Sequence, residues 1–161
     1  MGAMTDKDIT FTRLSGIELD EIAAHMSDPV MAVHMPLLTG TWDRNAARHF
    51  VESKEACWAR DGLGHWAFLR DGLYVGWGGF QKEGEEWDFG LVLKRENFGL
   101  GSRIARKALD FAVADPRIPY VTFLLPPTRT RLGALARLGA RPEGMVELEG
   151  AQFQKFRLET S

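Results

Sequence analysis

The chain has 161 residues, 45% of them hydrophobic and 26% charged, which is enough for one compact α/β domain and too little for two ordinary ones. A formal charge of -2 gives no general attraction to nucleic acid or anionic lipid. No run approaches the roughly 18 apolar residues of a membrane span, and the N-terminus lacks the basic-then-apolar order of a signal peptide.

Residues 1–3 read as a cloning remnant ahead of a native start at Met4, leaving a single domain over 4–161. Ile9 to Leu14 alternates as a first strand, and Gly16 to Ser27 has helical spacing that ends before Asp28-Pro29. Met31 to Gly40 has no clear period and reads either as a loop packed on the core or as a wall facing a substrate. A second helix is predicted from an N-cap at Thr41 or Asp43 to Arg60, stopped by Asp61-Gly62. Within it Cys57, the only cysteine, reads as a small buried thiol; alone it excludes an internal disulfide framework or a Cys-based zinc site. A reducing, cytoplasmic setting fits. His25, His34, His49 and His65 lack any metal-site spacing, so no metal is expected.

Three strands follow, His65 to Arg70, Tyr74 to Phe80 and Trp87 to Leu93, separated by turn residues and read as an antiparallel meander. Ile104, Ala108, Phe111 and Ala112 then form a helical stripe. Tyr120 to Leu125 suits a buried strand. Thr128 is placed as the cap of a helix reaching Leu138, with Gly139 at its end. Met145 to Leu148 and Phe153 to Leu158 complete an expected mixed, largely antiparallel sheet of about seven strands with about four helices.

The most informative stretch is Trp87 to Arg103, where Gly99 and Gly101 lie between an apolar strand and an amphipathic helix. Glycines here allow backbone N–H groups to approach an anion, and a helix start adds a positive dipole end. The dinucleotide-fold fingerprint and the P-loop both need further elements that are missing, since Gly101 is followed by Ser102-Arg103 and the upstream strands form a meander.

The order of elements resembles the GNAT acetyltransferases. Phe98-Gly99-Leu100-Gly101 is similar to the Trp-Gly-Lys-Gly of the ribosomal-protein N-terminal acetyltransferase branch, and Leu132 to Gly144, with Leu138-Gly139-Ala140-Arg141-Pro142-Glu143-Gly144, is similar to the K-L-G-F-x-x-E-G stretch that follows its last coenzyme-contacting helix. The resemblance runs from Trp66 to Gly144. It implies an α+β GNAT fold and acetyl-CoA as co-substrate. The backbone of Leu91, Val92 and Leu93 would pair with the pantetheine arm, and the N–H groups of Phe98, Gly99, Leu100, Gly101, Ser102 and Arg103 would hold the pyrophosphate. Departures are clear: Phe98 and Arg103 fall where Gln or Arg and a small residue are usual. Thr128 and Arg131 stand where an Asn and a Ser often contact coenzyme A, and Leu135 where a Tyr often serves as general acid. A two-residue shift of register would put Glu96 first in the motif.

Acetyl transfer to nitrogen needs a neutral amine, and a free Lys amine titrates near 10.4 against about 7.7 to 8.0 for an α-amine. A base is therefore useful. Asp88 aligns with an acidic residue of the resembling branch, and Glu86 shares its strand face; both are candidate catalytic carboxylates. Trp42 is the candidate substrate contact, while the other tryptophans read as core. Arg129, Arg131, Arg137 and Arg141 read as a solvated face, or as contacts to coenzyme phosphate or an acidic substrate. The expected acceptor is a small-molecule amine or a protein N-terminus, the expected state a monomer or homodimer, and the rival reading a non-catalytic CoA-binding module.

Overall fold

The computed structural model describes residues 8–34, 42–130 and 132–160. The possible start remnant, most of the aperiodic segment after His34, Thr41 and Arg131 lie outside them. In chain order the elements are β1 (Ile9–Arg13), α1 (Leu19–Met26), α2 (Pro29–His34), α3 (Arg44–Asp61), β2 (His65–Arg70), β3 (Leu73–Glu83), β4 (Glu86–Leu93), α4 (Gly101–Ala114), β5 (Tyr120–Leu125), α5 (Gly133–Leu138), β6 (Arg141–Leu148) and β7 (Ala151–Glu159). Among the described residues seven strands form one sheet in the order β1-β2-β3-β4-β5-β7-β6. Every pairing is antiparallel except β4 with β5.

Local chemistry explains most boundaries. Asp43 caps α3, its carboxylate accepting the Ala46 N–H at 2.8 Å, and Gly62 ends it in the left-handed conformation at φ 76°. Asp28-Pro29, read above as a stop, also starts α2. The Asp28 side chain accepts the Val30 N–H, and proline is compatible with the first helical position. The helices therefore number five, with the fully buried Met31 on the additional one.

Two further expectations are corrected. Thr128 does not cap α5; it is exposed in a turn closed by Arg129 N–H to the Pro126 carbonyl, and Gln154 pins that turn by donating to the carbonyls of Pro126 and Arg129. The helix starts five residues later, at Gly133. β6 begins at Arg141 rather than Met145, because a bulge between Pro142 and Met145 absorbs a proline and a glycine that interrupt the strand pattern.

The sheet has a core on each face. On one, Ile104, Ala108 and Ala112 of α4 meet Phe68, Phe80, Trp87, Phe89 and Val121. On the other, α1 and α3 cover Ala67, Tyr74 and Trp77. Alternation along β4 puts Trp87, Phe89 and Leu93 on the α4 side, and hence Asp88, Gly90 and Val92 on the α1–α3 side. Gly76 and Gly78 are required for the close approach of β3 to β4: an added Cβ would lie 2.5 Å from the Val92 carbonyl and 2.2 Å from that of Gly90.

Candidate active site

β4 and β5 are joined by only two register pairs, Trp87 with Val121 and Asp88 with Thr122. Beyond Asp88, β4 pairs with β3 alone, so its other backbone edge faces the gap where the two strands diverge. The carbonyls of Gly90 and Val92 are turned toward β3, as their proximity to Gly78 and Gly76 shows. Antiparallel partners alternate between hydrogen-bonded and non-bonded pairs. The peptide groups of Leu91 and Leu93 therefore face the opening, and that of Val92 serves the strand ladder.

The chain then runs through a 3-10 turn, Arg95–Leu100, directly into α4. Phe98 is 44% exposed, Leu100 is buried, and Ser102 is exposed in the first turn of the helix. Gly101 has φ -55°, and a Cβ there would make ordinary contacts, 3.8 Å from the side chains of Leu91 and Leu93; at Gly99 a Cβ would meet nothing. Neither position needs glycine for its backbone geometry or packing. What the two glycines provide is an uncovered main chain beside the open edge of β4. The Gly101 N–H donates to the Phe98 carbonyl, so the turn is internally bonded in this conformation. Arg103 points its guanidinium to Asp8, 2.7 Å away, and Asp8 also meets Arg70.

At the last rung before the gap, Asp88 accepts a hydrogen bond from the Thr122 hydroxyl at 3.0 Å. Burial raises its pKa from 3.8 to about 7, the Thr122 hydrogen bond opposing and the charges of Glu83 and Glu86 adding to the rise. Glu86 differs. It takes a 2.7 Å ion pair from Lys155 and a 3.2 Å hydrogen bond from the Tyr120 hydroxyl, and the Lys155 hydrogen bond keeps it below the usual carboxylate range. The structure thus sets Asp88 at the gap and Glu86 on the far side of the two rungs, and shifts their proton affinities in opposite directions.

Three residues around Asp88 escaped the sequence reading. Gln81 is its register partner on β3 and accepts from Lys54 Nζ at 2.8 Å. His65 is buried on β2, its Nδ1 without a partner among the described residues and its pKa driven well below 6.5 by desolvation; its ring lies 3.5 Å from where a Gly90 Cβ would sit. Lys54 has a signal in the sequence: it falls on the inward stripe of α3 with Ala47, Val51 and Trp58, where a charge is out of place. Trp42, the predicted substrate contact, begins an aromatic row with ring centroids 5.3 Å to Phe50, 4.8 Å from Phe50 to Trp77 and 5.4 Å from Trp77 to His65. That row leads along the α1–α3 face toward Gly90.

Residues 8–141 match the family model described as "Acetyltransferase (GNAT) domain". The chain belongs to the GNAT acetyltransferase family. Its members are acetyl-CoA-dependent acyltransferases, and this chain is one by family. No curated protein matches it. Among solved structures it is similar to a putative GNAT-family acetyltransferase from Bordetella pertussis, at 17% identity over 98% of this chain and 99% of that one, TM-score 0.73. It is also similar to an acetyltransferase from Agrobacterium tumefaciens, at 17% identity over 99% and 95%, TM-score 0.74. A third is the ribosomal L7/L12 alpha-N-protein acetyltransferase RimL in complex with coenzyme A, at 12% identity over 95% and 94%, TM-score 0.74. These likenesses establish the shared fold. The open β4 edge beside the bare glycine turn leaves a strip of uncovered main chain, which is compatible with an extended, amide-bearing thioester carrying phosphate. Among the described residues no group of three His, Cys, Asp or Glu side chains could hold a metal, and no helix is long and apolar enough to cross a membrane.

Proposed function

We propose that the protein acetylates an amine, with Asp88 as general base. The observation that carries this reading is the enclosed Asp88 carboxyl at the last rung before β4 leaves β5, where burial pushes its pKa up to about 7. A base poised near neutral pH is half ionised when the acceptor ammonium must give up its proton, which is the condition for efficient transfer. The neutral amine then attacks the thioester carbonyl, and the thiolate leaves. A thiol titrating near the 8.5 or so of free Cys departs with little help from an acid, consistent with Leu135 standing where a Tyr is often found. Glu86, held ionised by Lys155, supports the field at Asp88 rather than taking the proton. The similarity to RimL and the motif around Gly99 and Gly101 favour an α-amine over a lysine side chain, within a branch resembling the ribosomal-protein N-terminal acetyltransferases.

Calorimetric titration with coenzyme A and thiol-release assays over an amine panel test the two halves separately. Gly101→Val should weaken coenzyme A binding at least tenfold with the melting temperature little changed, since a Cβ is accommodated within the fold. Unchanged affinity in the folded variant removes the glycine turn from the coenzyme site.

A further inference from the structure

The ammonium of Lys54 is enclosed on the α1–α3 face without a carboxylate ion-pair partner among the described residues. Its Nζ sits 5.1 Å above the Trp77 ring and 5.5 Å from that of Phe50, and among the described residues it donates one hydrogen bond, to the neutral Gln81 amide. Gln81 in turn donates to Glu83 at 3.0 Å, and the charges of Glu83 and Asp88 act on Lys54 from a distance, neither forming an ion pair with it among the described residues. Desolvation lowers the Lys54 pKa to about 8, yet the residue keeps partial contact with solvent. Buried charges are ordinarily paired or bound to a ligand.

Asp88 presents the complementary case, a carboxyl enclosed with a hydroxyl for company. Gln81 and Asp88 are register partners, so the Lys54 ammonium and the Asp88 carboxyl sit on one face within about 10 Å of each other, given partner Cα spacings near 5 Å. A molecule carrying an amine and a carboxylate on one carbon, with a charge-assisted hydrogen bond of about 2.8 Å at each end, spans about 8 Å.

We propose that Lys54 binds a carboxylate of the acceptor, making the preferred acceptors small amines that carry a carboxylate close to the nitrogen, free amino acids foremost. The proposal rests on the reading of Asp88 as the amine-facing base. It separates the two acceptor classes left by that reading, because a protein N-terminus has an amide where a free amino acid has its carboxylate. The aromatic row from Trp42 to Trp77 lies beside Lys54 and suits an apolar or aromatic side chain.

The test uses acceptors of one skeleton, L-phenylalanine, L-phenylalaninamide and 2-phenylethylamine, with a second set built on methionine. All are compared at equal concentrations of unprotonated amine. A charged hydrogen bond predicts that carboxylate exceeds carboxamide by about 10- to 100-fold in kcat/KM. In Lys54→Met this ratio should fall close to one, and in Lys54→Arg it should be partly retained. A purely structural lysine would depress all acceptors alike and leave the ratio intact, which overturns the proposal. So does a wild-type ratio of one or less. Turnover of amines without preference for carboxylate sinks the role of Lys54 and leaves amine acetylation standing; no thiol release from any acceptor, with coenzyme still bound, sinks both.

Discussion

The two faces of the sheet are built from different material. Against α4 the interior is apolar and aromatic, with Phe68, Phe80, Ile104, Ala108 and Val121 sealed from solvent. Against α1 and α3 the same strands carry His65, Gln81 and Asp88 among aromatic rings and α3 adds Lys54, with the His65 Nδ1 unpartnered among the described residues. The first face holds the sheet together by burial, while the second keeps polar groups in states that water would not allow. The strand β4 serves both, since consecutive residues point to opposite sides.

Asp88→Asn attacks the polar face directly, and it is expected to have the largest effect. Loss of a general base lowers kcat/KM by about 10² to 10⁴, and the variant should lack the rise in kcat/KM expected of the wild type as pH passes through about 7. Its stability should move the other way. Because the folded pKa of Asp88 is raised, the native state holds a proton that the unfolded chain releases from about pH 4 upward. That contribution is fully present below about 4 and is lost as pH rises through about 7, with a slope of up to about 1.4 kcal/mol per pH unit. Denaturant titrations should therefore find Asp88→Asn more stable than wild type at pH 8, with the advantage vanishing toward pH 4. A variant equally stable across that range would show that the carboxyl is not desolvated.

Phe80→Ala attacks the apolar face. Phe80 is fully buried between Phe89 and Phe111, and its truncation should cost about 3 to 5 kcal/mol in denaturant midpoint analysis. The folded fraction should turn over at a near-normal rate, since no polar group of the site rests on that ring. Glu86→Gln has the smallest expected effect. Its pair with Lys155 is partly solvated, which limits the stability change to less than about 1 kcal/mol, and turnover should fall no more than a few-fold. A hundredfold loss in Glu86→Gln, with Asp88→Asn intact, would exchange the two roles.

The fold was legible where one period held. The stripe on α4, the capped α3 and the meander β2–β3–β4 follow from spacing and turn residues, and their boundaries agree with the sequence reading to within a few residues. Asp28-Pro29 shows the limit: the same dipeptide ends one helix and begins another, because an aspartate side chain caps whichever amide is presented to it. Thr128 shows another, since its role was decided by Gln154, distant in sequence, holding the preceding turn. At the site, the glycine turn and both carboxylates were visible as residues. Their proton affinities were not, because those depend on Lys155 and Tyr120 reaching Glu86 and on the tertiary burial of Asp88, which the Thr122 hydrogen bond only partly offsets. Val92 and Leu91 are equivalent in sequence; only the register against Gly76 and Gly78 turns their peptide groups in opposite directions. Lys54 is marked in the sequence by its place in an apolar stripe, but only the fold shows what its ammonium faces.

The two-rung junction of β4 with β5 also bears on how the molecule assembles. The β2–β3–β4 meander closes through short turns and β6 with β7 forms a hairpin, so these two ribbons are made of contacts near in sequence, whereas β5, which lies between them, pairs with β4 at residues 34 positions apart and with β7 at residues 29 to 39 apart. Loop-closure entropy delays contacts of that separation relative to local ones. The seam beside Asp88 is therefore a late and weakly zippered part of the fold, and a ligand lying across it would act as a clasp, slowing amide exchange in both ribbons at once.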